Sequence, residues 1–330
     1  MIKRQTLPRM RSLHLISTAL LGGLFASACS DHEPTVPRSA LATAGPSATR
    51  TPVNYKFTAI DTILIPGARL ISAQGINADG DIAGSYVDAN LRQHGFVLHG
   101  GVVTTIDYRA PDGTFADGTN VEGIGPDGEV VGTHWMNTEE PAAFHGFRRT
   151  ATGDFQTVHY PGHLYEIPQR ILPDGTILGC RHDADFSTTG LSMHGIVIGR
   201  KVTSELDIPV SMTNGATPDR HRLVAQAMNM STGFNQAFTI DDGVINPIHI
   251  AGAIVSTAWD VDPRGDVVGF YRDANGFHGY VLSADGLTTT TLNAPGATAT
   301  RAFGINARGD VVGTTVSGGK TFAFVATPEP

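Results

Sequence analysis

Asp260-Val-Asp-Pro-Arg-Gly-Asp-Val-Val-Gly269 and its near-copy Gly304-Ile-Asn-Ala-Arg-Gly-Asp-Val-Val-Gly313 decide the fold. Four more copies precede them: GINADGDIAG (Gly75–Gly84), GIGPDGEVVG (Gly123–Gly132), RILPDGTILG (Arg170–Gly179) and ATPDRHRLVA (Ala216–Ala225). Their last residues, 84, 132, 179, 225, 269 and 313, are spaced by 48, 47, 46, 44 and 44. A period in the forties, carried by short apolar runs and glycine turns, is the pattern of a β-propeller-type repeat array.

Outward from Asp260, the grammar of one unit is explicit. Pro263-Arg-Gly-Asp266 forms a turn cluster, and Val267-Val-Gly-Phe-Tyr271 is a strand long enough to be buried on both faces. Asp273-Ala-Asn-Gly276 turns the chain into His278-Gly-Tyr-Val-Leu282. Asp285-Gly286 turns it again into the Thr-rich Leu287–Leu292, and Pro295-Gly296 closes the unit. The sixth copy ends after its third strand, near Val325. Tyr55–Asp61, ahead of the first copy, reads as the missing fourth strand and is followed by Pro66-Gly67, as a fourth strand should be. The expectation is an all-β, six-bladed propeller of four-stranded antiparallel blades, its last blade completed by the N-terminal strand so that no sheet edge stays open. In the fourth copy His221 falls where the others have glycine, which predicts a different turn there.

The chain has 330 residues, 39 of them glycine and 19 proline, and a formal net charge of −8, which argues against a nucleic-acid partner. Lys3, Arg4, Arg9 and Arg11 precede an apolar run from Leu13 to Phe25 and then Ala26-Ser-Ala-Cys29, the layout of an export signal. The organisation expected is a signal at 1–28, a Pro/Ser/Thr/Ala-rich tether at 29–51 and one propeller at 52–330.

The Ala-Ser-Ala-Cys29 segment is similar to bacterial lipoprotein signals, which implies lipidation of Cys29. Ser30 behind it implies the outer membrane, on its periplasmic or cell-surface side; plain secretion is the alternative. The G-I-N…G-D-V-V-G segments followed by H-G-F or Q-A-F strands resemble the bacterial extracellular HAF-repeat proteins over about residues 70–326. That resemblance implies the fold and an extracytoplasmic setting, and no activity. Thr327-Pro-Glu-Pro330 is similar to the sorting tail attached to such repeats, but no hydrophobic segment or basic cluster follows it, so that role is not carried over.

His94, His145, His194 and His278 share one repeat position. Equivalent third strands of neighbouring blades diverge too far to share an ion, so each imidazole is expected to hydrogen-bond within its own blade. Cys180 ends an apolar strand and reads as a small buried residue.

Functional candidates lie in the irregular loops of blades two and three and before copies five and six. Ligand-binding candidates are Trp135, Tyr160, His163, Glu166, Arg170, Asp183, Trp259 and Arg301, with Asp185 beside them. Two chemistries suit them. His134, His163, His182 and Glu166 could ligate a divalent metal, the one cofactor candidate, since no motif calls for another. Alternatively, His134 or His182 and Tyr165 could serve as base and acid, with Arg170 or Arg181 holding a carboxylate. The first function class is a surface-anchored binding or scaffold protein holding a peptide, glycan or protein on one propeller face. The second is a propeller lyase or hydrolase using the loops of blades two and three. The only membrane contact expected is the lipid anchor.

Overall fold

The computed structural model describes residues 53–61, 64–137, 144–163, 165–182, 193–200 and 203–329. The signal, Cys29, the tether, Asp183 and Asp185 lie outside these. The described residues contain 24 strands and no helix.

Strand β1 (Tyr55–Ile60) comes first. Then follow β2 (Leu70–Ile76), β3 (Ile82–Val87), β4 (Gln93–His99) and β5 (Val102–Ile106), and next β6 (Gly118–Ile124), β7 (Val130–Trp135), β8 (His145–Arg149) and β9 (Phe155–Thr157). The third group is β10 (Tyr165–Ile171), β11 (Ile177–His182), β12 (His194–Ile198) and β13 (Thr203–Glu205). The fourth is β14 (Ser211–Ala216), β15 (Arg222–Asn229), β16 (Phe234–Asp241) and β17 (Val244–Pro247). Each group is a separate four-stranded antiparallel sheet in chain order. The remaining strands are β18 (Val255–Val261), β19 (Val267–Arg272), β20 (Phe277–Leu282), β21 (Thr289–Leu292), β22 (Ala299–Ile305), β23 (Val311–Ser317) and β24 (Lys320–Pro328). With β1 they form an eight-stranded sheet, whose halves β18–β21 and β22–β24–β1 meet at one parallel bridge, Phe277 to Ala299. Within it β1 runs antiparallel to β24, from Tyr55 opposite Pro328 to Ile60 opposite Ala323, and the Phe57 and Phe324 rings lie 5.2 Å apart.

The repeat copies are the first hairpin of each sheet. The turn glycines Gly80, Gly128, Gly175, Gly265 and Gly309 all adopt φ between 78° and 93°, a region a side chain resists. The last glycine of the motif answers a different need. A Cβ on Gly84, Gly132, Gly179, Gly269 or Gly313 would collide with a main-chain oxygen of the preceding strand. In the fourth copy Arg220, at φ 61°, takes the left-handed position, and the turn is one residue longer, closing from Thr217 to Arg222 rather than from Asn77 to Asp81. His221 therefore does not replace the glycine; it flanks the turn and pairs with Asp242 at 2.5 Å.

Apolar side chains are buried between successive sheets rather than in one central mass. Ile71, Ile82, Phe96 and Ala323 share one such cluster, and Ala83, Val121, Val130 and Phe147 another. Three of the four repeated histidines make in-sheet contacts: His94 Nδ1 lies 2.7 Å from Asp107, His194 Nδ1 3.1 Å from Leu206 O, and His278 Nδ1 2.7 Å from Asn293, whereas the His145 ring faces Tyr165 of the next sheet at 5.9 Å.

Candidate functional site

The leading strand of each sheet, β2, β6, β10, β14, β18 and β22, carries a bulge at the same place. The extra residues are Gln74, Glu122, Gln169, Asn214, Trp259 and Phe303. A bulge turns one peptide out of the ladder, and four of the six, those of Gln74, Glu122, Gln169 and Phe303, meet at Arg170. Its Nη1 donates to Glu122 O (2.8 Å) and Gln169 O (2.7 Å), its Nη2 donates to Gln74 O (2.9 Å) and to Phe303 O, and its Nε lies 3.2 Å from Asp260 Oδ2. Arg170 and Asp260 stand where the other strands have Gly75, Gly123, Gly215 and Gly304. Those glycines are needed because the strands touch. A Cβ on Gly75 would lie 3.2 Å from Gly123 Cα, one on Gly304 3.1 Å from Gly75 Cα, and one on Gly215 2.9 Å from Asp260 Cα. Arg170 is thus a buried hub and not a loop residue available to a ligand. Burial holds the Asp260 carboxyl above its ordinary pKa, against the opposing pull of Arg170.

On the strand-start side of this hub, Trp259 stacks on Phe270 (6.4 Å) and meets Phe303 edge-on (5.1 Å). The Arg301 guanidinium lies 4.0 Å over Phe277 and 5.5 Å from Phe270. Trp259 and Arg301, each half-buried, are therefore brought together through one shared neighbour, Phe270. Trp135 sits elsewhere, over Gly118 and edge-on to Phe144 at 5.7 Å.

The histidine candidates form a seam between the second and third sheets. Tyr108 and His134 are stacked at 3.5 Å. His134 lies 5.4 Å from His145, His145 5.9 Å from Tyr165, and Tyr165 5.4 Å from His182. His134, Tyr165 and His182 thus lie in one contiguous row of rings, stacked at its two ends and tilted where His145 joins them. Glu166, 2 % exposed, accepts from Tyr160 N–H at 2.8 Å and lies 3.4 Å from His159, and burial raises its pKa. The equivalent side chains Thr119, Ser211, Ser256 and Thr300 also accept main-chain N–H groups, from Tyr108, Gly195, Ala237 and Ala294. Glu166 is thus the acidic version of a peg between sheets. Arg181 pairs with Glu205 at 3.0 Å, and the hydrogen bond lowers the Glu205 pKa; His163 sits 5.6 Å from the Tyr160 ring. Among the described residues no three His, Cys, Asp or Glu side chains are grouped to hold a metal ion.

Burial in this seam, reinforced by His145, pushes the His134 pKa down to about 4. The imidazole is neutral in the folded protein at neutral pH, while the unfolded chain takes up that proton below its ordinary value of 6.5. Stability contributed by neutral His134 is therefore whole above about pH 6.5 and is lost as pH falls toward about 4, by roughly 2–3 kcal/mol. His134→Phe, which retains an aromatic ring against Tyr108, is expected to flatten the acid limb of stability against pH by that amount, measured by urea unfolding across the window.

No family model and no curated protein matches the chain. Solved structures do match it in fold. A protein assigned as TolB from Agrobacterium tumefaciens is 17% identical, with a TM-score of 0.52, over 79% of this chain and 91% of that one. TolB from Acinetobacter baumannii is 10% identical, with a TM-score of 0.50, over 76% and 64%. The β-propeller domain of the Trilobed protease from Pyrococcus furiosus is 8% identical, with a TM-score of 0.48, over 78% and 93%. At these identities the likeness is one of fold: an all-β propeller type built of four-stranded antiparallel sheets. No helix among the described residues is long and apolar enough to cross a membrane.

Proposed function

We propose that this chain is an exported, ring-closed, six-bladed propeller that serves as a binding or scaffold protein, anchored through Cys29. It holds a peptide, glycan or protein ligand on the face where the leading strands begin. The count of six is supported by the single parallel bridge at which the eight-stranded sheet divides into two groups of four strands. Closure is supported by the β1–β24 register and by the Gly304–Gly75 contact, which brings the last leading strand against the first.

The observation that carries the binding reading is the half-buried platform of Trp259, Phe270 and Phe277 with Arg301 laid on it. Rigid aromatics beside a guanidinium are the composition of binding hot spots. Several candidate site groups are meanwhile held in structural contacts: Arg170 by the hub, Glu166 by Tyr160 N–H and Arg181 by Glu205. The alternative, a lyase or hydrolase, is favoured by the contiguous His134–His145–Tyr165–His182 row of rings.

Glycan and peptide arrays probed with the full chain separate the two readings. A retained ligand class whose affinity falls more than about tenfold in both Trp259→Ala and Arg301→Ala, with unchanged circular dichroism, is the expected result. Ligand retention untouched by both variants, or turnover of a bound class that disappears in His134→Phe, would overturn it.

A further inference from the structure

Three side chains of the bulge register carry oxygens that no hydrogen-bond donor reaches: Gln74 Oε1, Gln169 Oε1 and Asn214 Oδ1. All three residues are more than nine-tenths buried, with exposures of 6, 3 and 0 %. The amide orientation of Asn214 is fixed by its nitrogen, which faces a carbonyl. Gln74 Nε2 donates to Ser72 Oγ at 2.9 Å, and Asn214 Nδ2 donates to Ala258 O at 2.6 Å. Between Gln74 and Gln169 in the strand order stands Glu122, also buried, whose Oε1 accepts from Asn120.

Gln74, Glu122 and Gln169 are neighbours in space because their main-chain oxygens converge on one guanidinium. Their side chains lie on its strand-start side: Gln74 reaches back to Ser72, and Glu122 back to Asn120. Asn214 occupies the same bulge position on the next leading strand.

Charge decides what such a group would hold. Arg170 is ion-paired with Asp260, and its remaining donors are used by carbonyls. Burial raises the Glu122 pKa to about 7 against the pull of Arg170; once ionised, Glu122 shares that single guanidinium with Asp260, which leaves one net negative charge beside the buried amides of Gln74 and Gln169. A buried charge left so is costly, and a buried unpaired acceptor adds to the cost. Carboxylate and amide oxygens are hard ligands, carbonyl-type oxygens replace the hydration shell of alkali ions, and one unit of positive charge balances the hub. We propose that Gln74, Glu122 and Gln169 form a site for a single alkali-metal cation, seated beside Arg170 in the core of the propeller.

This site is independent of any ligand on the outer face, so it can fail or stand without the binding reading. The test is thermal unfolding of the full chain in sodium, potassium or tetramethylammonium chloride at equal ionic strength and alkaline pH. A saturable rise in Tm with sodium or potassium, absent with tetramethylammonium, is expected from binding to the folded state. The apparent affinity should drop at least about tenfold in Glu122→Gln, which keeps the shape and removes the charge, and also in Gln74→Leu. Equal Tm in all three salts would overturn the proposal, with Glu122 then carrying only a proton. A response to calcium chloride alone would also overturn it, as would a sodium response that survives in both variants.

Discussion

Arg170→Met is expected to cost at least about 3–5 kcal/mol of stability, the range for removing one partner of a buried ion pair. The reason lies in how many groups the guanidinium serves. It is the donor to the main-chain oxygens of Gln74, Glu122, Gln169 and Phe303 and the partner of Asp260, drawing on five of the six leading strands. Methionine fills part of the volume and donates nothing, so the Asp260 carboxylate keeps only the N–H groups of Val261 and Ile305. Against a total stability of 5–15 kcal/mol, typical of a folded domain, such a loss is large. Urea unfolding of Arg170→Met, Asp260→Asn and the double variant forms the check. Asp260→Asn should recover part of the loss in the Arg170→Met background, because it removes the unpaired charge, and the two changes should be strongly non-additive. A loss below about 1 kcal/mol for Arg170→Met would mean that the hub is not what holds the leading strands together.

The strands were legible because their signals are local. Val267–Tyr271 reads as a strand from its β-branched and aromatic run and is observed as β19; His278–Leu282 matches β20 to within one residue, and Tyr55–Asp61 matches β1. The turns were legible for the same reason, since a glycine at positive φ is a one-residue requirement. The fourth turn was misaligned because Arg220 accepts a conformation that sequence reading reserves for glycine.

The site was harder to read because its contacts are not local. Arg170 stands out in the sequence as an arginine at a glycine position, yet its partners lie 48 and 96 residues away, and nothing short-range says that it turns inward. Glu166 appeared as a free acid on a loop, whereas in register with Thr119, Ser211, Ser256 and Thr300 it is a peg between sheets. Trp259 and Arg301 were separated by a whole repeat and meet only through Phe270. The buried polar group at Gln74, Glu122 and Gln169 was missed altogether. Its signal was available: these residues come just before the position of the motif's first glycine, where an apolar residue would be unremarkable and an amide or acid is not.

A chain that begins at Asp61 instead of Val53 is expected to lose about 4–6 kcal/mol, summing the burial of Ile60 with the partial burial of Tyr55 and Phe57, and to self-associate. Strand β1 contributes little chain, but it stands at the edge of the sheet. It pairs with β24 over six residues, it sets Phe57 against Phe324, and it buries Ile60 to 2 % exposure against the first sheet's core. Without it β24 presents a row of unpaired N–H and C=O groups, a template for pairing with a second molecule. The measurement is thermal unfolding with size-exclusion chromatography of the two chains. A lower Tm together with concentration-dependent oligomers would show that the N-terminal strand completes the sheet of β22, β23 and β24, as the proposed ring closure requires. An unchanged Tm in a monomer would mean that the fold holds without this strand, and the proposed closure would then rest on the Gly304–Gly75 contact and the Arg170 hub. Under the proposed anchoring through Cys29, a dispensable β1 would let tension peel it from β24 without unfolding the domain, whereas an essential β1 would make the proposed anchor and the fold mechanically one piece.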